Sequence, residues 1–134
     1  MSGHIFYKHR FFGFDDAPYT SARLLEILSY EQRTLSQLLD DVPKTFSTPE
    51  LRFDTTEEKK FAVVARCKEL LAGKGELIDV DGVRVTWPDG WGLVRASNTT
   101  PVLVVRYEAK TKERLSEIQK LVDGVIEQAK RDVG

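Results

Sequence analysis

Between residues 76 and 109 the chain sets short apolar stretches between two turn signals, Asp81-Gly82 and Pro88-Asp89-Gly90. No other feature restricts the fold as much. Asp-Gly tolerates positive φ at both positions and favours a tight hairpin. The pattern therefore predicts strands over about 76–80 and 83–87, a third from Trp91 to Ala96, and a β-branched fourth over 102–109. Strands joined by so few residues can only pair antiparallel, because a parallel crossover needs a dozen residues or more. Upstream, Leu51-Arg52-Phe53-Asp54 alternates apolar and polar as a half-buried strand does. Thr55 or Thr56 can cap a helix with Glu57 and Glu58 in its first turn. Phe61, Val64, Cys67 and Leu71 would share its inner face, and Gly73 and Gly75 stop it. A last helix starts near Thr111 and carries Leu115, Ile118, Val122, Val125 and Ala129 in one stripe. The order is β-α-β-β-β-β-α. This predicts an α+β fold, a four- to five-stranded antiparallel sheet with two helices packed on one face, preceded by a helical N-terminal appendage.

The residues before this domain read differently. Ile5-Phe6-Tyr7 suggests a short strand, and Phe11, Phe12 and Phe14 form an aromatic cluster around Gly13. Asp16 is placed to cap a helix running to about Ser29, with Pro18 early in it and Ala22, Leu25 and Leu28 on one side. Residues 1–30 carry many apolar groups without a sheet of their own, so they read as the tail of a preceding domain. Residues 31–46 read as a linker holding a short helix capped by Thr34, with Leu35, Leu38 and Leu39 on one face and Pro43 after it. The third segment, 47–134, is the compact domain.

Charge and composition exclude several classes. Twenty Lys and Arg face 21 Asp and Glu, for a net charge of −1. A general nucleic-acid binder needs clustered basic charge, which is not present. The apolar runs stop at a handful of residues, as in Val102-Leu103-Val104-Val105, whereas a bilayer needs about 20. Met1-Ser2-Gly3-His4 lacks the basic stretch and apolar core of a signal peptide. One cysteine, Cys67, allows no internal disulfide. Together these suit the cytoplasm.

The segment Arg95-Ala96-Ser97-Asn98-Thr99-Thr100-Pro101 packs a fixed cation, three hydroxyls and an amide between two strands. Arginine offers a planar fork of donors that matches phosphate oxygens. Ser, Thr and Asn add short neutral donors, and consecutive backbone N–H groups in a tight loop can converge on an anion. No acid lies within the loop to repel it. Two readings remain open on these residues alone: a phosphate cradle, or an ordinary polar loop in which Arg95 pairs with a neighbouring acid.

The fuller string Gly90-Trp91-Gly92-Leu93-Val94-Arg95-Ala96-Ser97-Asn98-Thr99-Thr100-Pro101 resembles the phosphate-binding loop of bacterial phosphomannomutase/phosphoglucomutase enzymes, in the α-D-phosphohexomutase family. Ser2-Gly3-His4-Ile5-Phe6 resembles the end of that family's sugar-recognition loop in its third domain, and Arg10-Phe11-Phe12-Gly13-Phe14-Asp15-Asp16 the segment after it. Ser47-Thr48-Pro49-Glu50 resembles the entry to the fourth domain, and Asp81-Gly82-Val83-Arg84-Val85 the hairpin before the cradle. The resemblance implies that Arg95, Ser97, Asn98 and Thr99 hold the substrate phosphate, with Thr100 supporting the loop. It implies that Ser2 and His4 contact the sugar phosphate, with a share in proton transfer open to His4. By its neighbours alone, His4 reads as a polar loop residue. The implied activity interconverts hexose 1-phosphate and 6-phosphate of glucose or mannose, through a phosphoserine in the first domain and Mg²⁺ held by an Asp-rich loop in the second.

Neither of those two motifs occurs in this sequence. Asp79 and Asp81 are two apart, but Asp81 precedes Gly82 and reads as a turn residue. The chain thus reads as a C-terminal fragment, the end of domain three plus domain four, with no catalytic residue, no bound cofactor and no turnover expected of it. Its expected partners are the phosphosugar and the missing domains of the same polypeptide, with no nucleic acid and no membrane. The competing reading is a free-standing, non-catalytic anion-binding or protein-interaction module. Trp87 and Trp91 read as packing under the Pro-Asp-Gly turn, Cys67 as a buried small hydrophobe, and His9 as an exposed loop residue. The mixed charges of Lys110 to Arg114 read as a solvated helix start. Phe11, Phe12 and Phe14 read as surface that packs on the missing part of domain three.

Overall fold

In the computed structural model the turn-punctuated stretch is an antiparallel sheet. Residues 3–134 are described, and the chain divides into two compact units, Met1–Pro43 and Lys44–Gly134. The second unit contains β1 (Phe46–Ser47), β2 (Leu51–Asp54), α2 (Lys60–Leu71), β3 (Glu76–Ile78), β4 (Val83–Trp87), β5 (Gly90–Ala96), β6 (Val102–Ala109) and α3 (Lys112–Val133). The sheet order is β1-β6-β5-β4-β3, and β2 also pairs with β6 on the side of β1. All pairings are antiparallel. The α+β fold with both helices on one face is as the sequence predicts, with one addition, the two-residue strand β1.

Alternation along the strands decides what the helices cover. Val83 and Val85 of β4, Val94 of β5, and Leu103, Val105, Tyr107 and Ala109 of β6 join Val63, Cys67 and Leu71 of α2 and Ile118, Val122, Ile126 and Ala129 of α3 in one core. Each large aliphatic group so enclosed contributes about 1.5–3 kcal/mol relative to exposure. A Cβ on Gly90 would lie 2.6 Å from Ile118 Cδ1 and 2.6 Å from the Glu108 carbonyl oxygen, so its missing side chain is what lets α3 approach β5. Thr111 caps α3, its hydroxyl accepting from the Arg114 N–H at 3.1 Å.

Three local expectations change. First, α2 begins at Lys60, with no side-chain cap. Glu57 and Glu58 lie in the turn before it, and the Thr56 carbonyl, not a threonine hydroxyl, accepts from the N–H groups of Lys59 and Lys60. This start puts Lys60, Val63, Cys67 and Leu71 on the inner face and turns Phe61 outward, 60% exposed. Second, β3 ends at Ile78, which pairs with Arg84, so Asp79 to Gly82 form a wider connection than a two-residue turn. Val80 projects into solvent and Lys68 pairs with Asp79. Third, Ile5-Phe6-Tyr7 forms a single bridge, Phe6 to Asp15, rather than a strand.

In the first unit α1 spans Ala17–Tyr30, and the Asp16 carboxylate accepts from the Tyr19 N–H at 2.7 Å. The rings of Phe11 and Tyr19 stack with centroids 4.0 Å apart. A 3-10 turn covers Gln37–Leu39, where the Gln37 side chain accepts from the Thr34 N–H at 2.7 Å and the Thr34 hydroxyl accepts from the Gln37 N–H at 3.4 Å. Phe12, Phe14, Leu25, Tyr30 and Leu39 are exposed.

Candidate anion-binding site

The β5–β6 connection, Ser97 to Pro101, is built from its two ends inward. Ser97 N–H donates to the Val102 carbonyl at 3.0 Å, and Val102 N–H donates to the Thr100 carbonyl at 2.9 Å. The segment entering α2 fastens both ends from outside. Thr55 N–H donates to the Pro101 carbonyl at 3.1 Å, and the Lys60 ammonium donates to the Ser97 carbonyl at 2.7 Å. Inside the loop, Ser97 Oγ accepts from the N–H groups of Thr99 at 3.3 Å and Thr100 at 3.2 Å. It also lies 2.9 Å from Thr100 Oγ1 and 3.5 Å from Thr99 Oγ1. Two backbone donors and two threonine hydroxyls therefore surround the Ser97 hydroxyl. Ser97 is buried, whereas Asn98, Thr99 and Thr100 are exposed.

Arg95 is the penultimate residue of β5, and its core-facing neighbours Val94 and Ala96 are buried. Its Nη1 lies 3.7 Å from Asp81 Oδ2, beyond hydrogen-bond range, and the Asp81 side chain is 71% exposed. Exposed pairs of this kind are worth about 0–1 kcal/mol, so the guanidinium is held lightly. The sequence-identified residues Arg95, Ser97, Asn98, Thr99 and Thr100 thus occupy one strand end and one loop. His4 belongs to the other unit, where its Nδ1 meets the Asp15 carboxylate. Ser2 lies outside the described residues.

Sequence reasoning missed Lys60. Its side chain is 1% exposed and also lies 2.5 Å from Glu57 Oε1. A signal was present: Lys60, Val63, Cys67 and Leu71 have the three-and-four spacing of a buried face, with a charge at its head. Phe61, the more obvious apolar residue, concealed that phase. Among the described residues no group of three His, Cys, Asp or Glu could hold a metal ion. A pocket of about 190 Å³ sits at the other end of β5, lined by Trp87, Trp91 and the turn between them, and includes none of the loop residues. Trp87 Nε1 donates to the Lys74 carbonyl, and Arg84 stacks on Trp91 with 4.3 Å to the ring centroid.

Comparison with known proteins shows the family. Residues 50–125 match the family described as "Phosphoglucomutase/phosphomannomutase, C-terminal domain", and residues 1–46 match "Phosphoglucomutase/phosphomannomutase, alpha/beta/alpha domain III". The chain belongs to the phosphoglucomutase/phosphomannomutase family. A phosphomannomutase/phosphoglucomutase of Pseudomonas aeruginosa is 53% identical over 120 residues, covering 89% of this chain and 26% of the relative. A phosphoglucomutase of Neisseria gonorrhoeae is 48% identical over 130 residues, 95% of this chain and 28% of its own. A crystal structure of a phosphoglucomutase/phosphomannomutase family protein from Burkholderia thailandensis matches with a TM-score of 0.83 at 42% identity, covering 97% of this chain and 27% of that one. The chain spans about a quarter of the length of these relatives. No helix among the described residues is long and apolar enough to cross a membrane.

Proposed function

We propose that Arg95 and the Ser97–Pro101 loop form the phosphate grip of a phosphohexomutase. The grip holds whichever phosphate of a hexose 1- or 6-phosphate is not reacting, with glucose or mannose as the sugar. The observation that carries this reading is the convergence of the Thr99 and Thr100 N–H groups on one point, now taken by Ser97 Oγ. A phosphate oxygen is a stronger, charged acceptor than a hydroxyl and can take the same hydrogens in shorter, charge-assisted bonds. Arg95 then supplies fixed positive charge from the strand end, and Asn98 and the threonine hydroxyls add exposed donors.

A mutase of this kind must present either end of its substrate to the phosphorylating group, so the opposite phosphate needs a site indifferent to the sugar's orientation. A grip made of charge and small donors satisfies that requirement. Its movement toward the rest of the polypeptide would exclude water, which otherwise hydrolyses a phosphoenzyme. On this reading the phosphoserine and Mg²⁺ belong to other domains. The described residues offer no group of three His, Cys, Asp or Glu that could hold a metal ion. Ser2 and His4 remain assigned to sugar-phosphate contact.

The test is a titration of the 134-residue chain with inorganic phosphate and with glucose 6-phosphate, followed by amide NMR. Saturable shifts at Thr99 and Thr100 are expected, with a Kd on the order of millimolar. Arg95→Ala should raise that Kd about tenfold, the loss of one charge-assisted contact. Shifts confined to other regions, or an unchanged Kd in Arg95→Ala, overturn the assignment. The same chain given glucose 1-phosphate and a bisphosphate activator should form no 6-phosphate.

A further inference from the structure

We propose that Lys60 is a charged member of this anion site and that Glu57 is its exchangeable counter-ion. The inference rests on the loop taking a phosphate. Among the described residues, the buried polar or charged residues are Lys60 and Ser97, and the Lys60 ammonium bonds to the Ser97 backbone carbonyl. Two physical effects oppose a lysine there. Burial of an ammonium is costly unless it is paired and hydrogen-bonded. Lys60 is also the first residue of α2, where the helix dipole disfavours a cation. An aliphatic side chain would simply continue the Val63, Cys67 and Leu71 face. The Glu57 pair and the Ser97 bond offset the burial, and the charge is kept at the head of an otherwise apolar face, where it serves the loop rather than the packing.

The geometry states what the charge does. Nζ lies 2.7 Å from the Ser97 carbonyl oxygen and 2.5 Å from Glu57 Oε1. An ammonium carries three N–H donors, and these two acceptors leave one donor without a hydrogen-bond acceptor among the described residues, with the Phe61 ring centroid 5.2 Å from Nζ. The bonded carbonyl belongs to the residue whose hydroxyl gathers the Thr99 and Thr100 amides. The positive charge therefore stands within one residue of the proposed anion position, in a poorly hydrated setting where its field is weakly screened. Glu57 differs from Lys60 in one decisive respect: its side chain is 64% exposed, against 1% for the lysine. When a phosphate dianion arrives, the carboxylate can turn to water while the ammonium stays. The lysine's charge then passes from Glu57 to the ligand, so Glu57 acts as a resident competitor that lowers affinity.

The test uses inorganic phosphate and the Thr99 and Thr100 amide shifts of the full chain. Lys60→Met should weaken binding about tenfold, and Glu57→Gln should tighten it about two- to threefold. Glu58→Gln, a change of equal charge in the same exposed turn, should leave the Kd within a factor of about 1.5. A lysine that only braces the loop would produce the first effect without the second. If Lys60→Met does not fold, the two glutamate variants decide the matter alone. Glu57→Gln that leaves phosphate affinity unchanged, weakens it, or matches Glu58→Gln overturns the inference. If the wild-type amides ignore phosphate altogether, the grip itself is refuted. If they respond, and the response is weakened in Arg95→Ala while Glu57→Gln has no effect, the grip stands and only this inference fails.

Discussion

Replacing Gly82 by alanine tests how tightly the β3–β4 connection is built against the site. Gly82 has φ +85, and a Cβ there would fall 2.4 Å from the Val94 carbonyl oxygen, 2.6 Å from Arg95 Cβ and 2.7 Å from Arg95 Cα. Gly73 has φ +76 and nothing within 4 Å of its would-be Cβ, so it shares the backbone strain without the collision. The left-handed conformation costs an alanine about 1–2 kcal/mol, of which about 0.4–1 is recovered through a stiffer unfolded chain. Gly73→Ala should therefore lose about 1 kcal/mol. In Gly82→Ala the atoms struck are mostly backbone of a central strand and cannot rotate away. The connection must lift off β5, and overpacking of this sort adds about 1–3 kcal/mol. Gly82→Ala should lose about 2–4 kcal/mol, a large part of the stability of a small domain. Urea titration of both variants, with m unchanged, gives the comparison directly. Because the collision falls on Arg95, folded Gly82→Ala should also bind phosphate more weakly than wild type, while Gly73→Ala binds as well. Losses equal within about 0.5 kcal/mol would refute the close approach and the reasoning built on it.

Cys67 is enclosed in the core, and burial pushes its thiol up to about 12. A disulfide reagent at pH 8 should leave it unmodified in the folded chain and label it fully in urea, and rapid labelling without denaturant would contradict this placement. The Tyr107 hydroxyl donates to Asp123 Oδ1 at 2.5 Å, so Tyr107→Phe should lose about 1–2 kcal/mol at pH 7 by urea titration. Burial, and then the bond to Asp123, raise the Tyr107 phenol above its ordinary 10.0. Its contribution is therefore fully present below pH 10 and is lost as pH rises beyond it, so the alkaline fall in stability should be shallower in Tyr107→Phe. Parallel alkaline limbs would count against it.

What could be read from the sequence follows how local each determinant is. The stripe of α3, its Thr111 cap and the alternation of β4 to β6 depend on spacing within one element, and spacing is visible in one dimension. Ile126 escaped the predicted stripe because it adjoins Val125, and either residue continues the helical period; packing against the sheet buries Ile126 and leaves Val125 half-covered. The phase of α2 was harder to read. Phe61 has the greater apolar surface, but Lys60 has the partner, and that partner is a carbonyl 37 positions away. Strand β1 is two residues long, too short to show any period, and exists because β6 extends past β2 and offers Ala109 and Glu108 for pairing. The candidate loop was legible as a set of donors. Its assembly was not, since nothing in the string Ser97-Asn98-Thr99-Thr100 says that one hydroxyl will gather two amides.

That gathering bears on how the loop could grip an anion weakly enough to release it. A flexible loop would lose conformational entropy on each binding event, about 1–2 kcal/mol for each residue fixed. Here the Ser97 and Pro101 carbonyls are already fastened by Lys60 and Thr55, and the Thr99 and Thr100 amides already point at one oxygen. Little remains to be ordered when the ligand arrives. On the proposed reading the same arrangement would limit affinity, because an incoming phosphate would have to displace Ser97 Oγ from those amides and draw Arg95 from Asp81 and Lys60 from Glu57. Each is an exchange of one acceptor for another, with net gain far below the gross strength of the new bonds. On the proposed reading, a grip that had to release its phosphate when the substrate turned end for end would be better served by such exchanges than by donors left vacant.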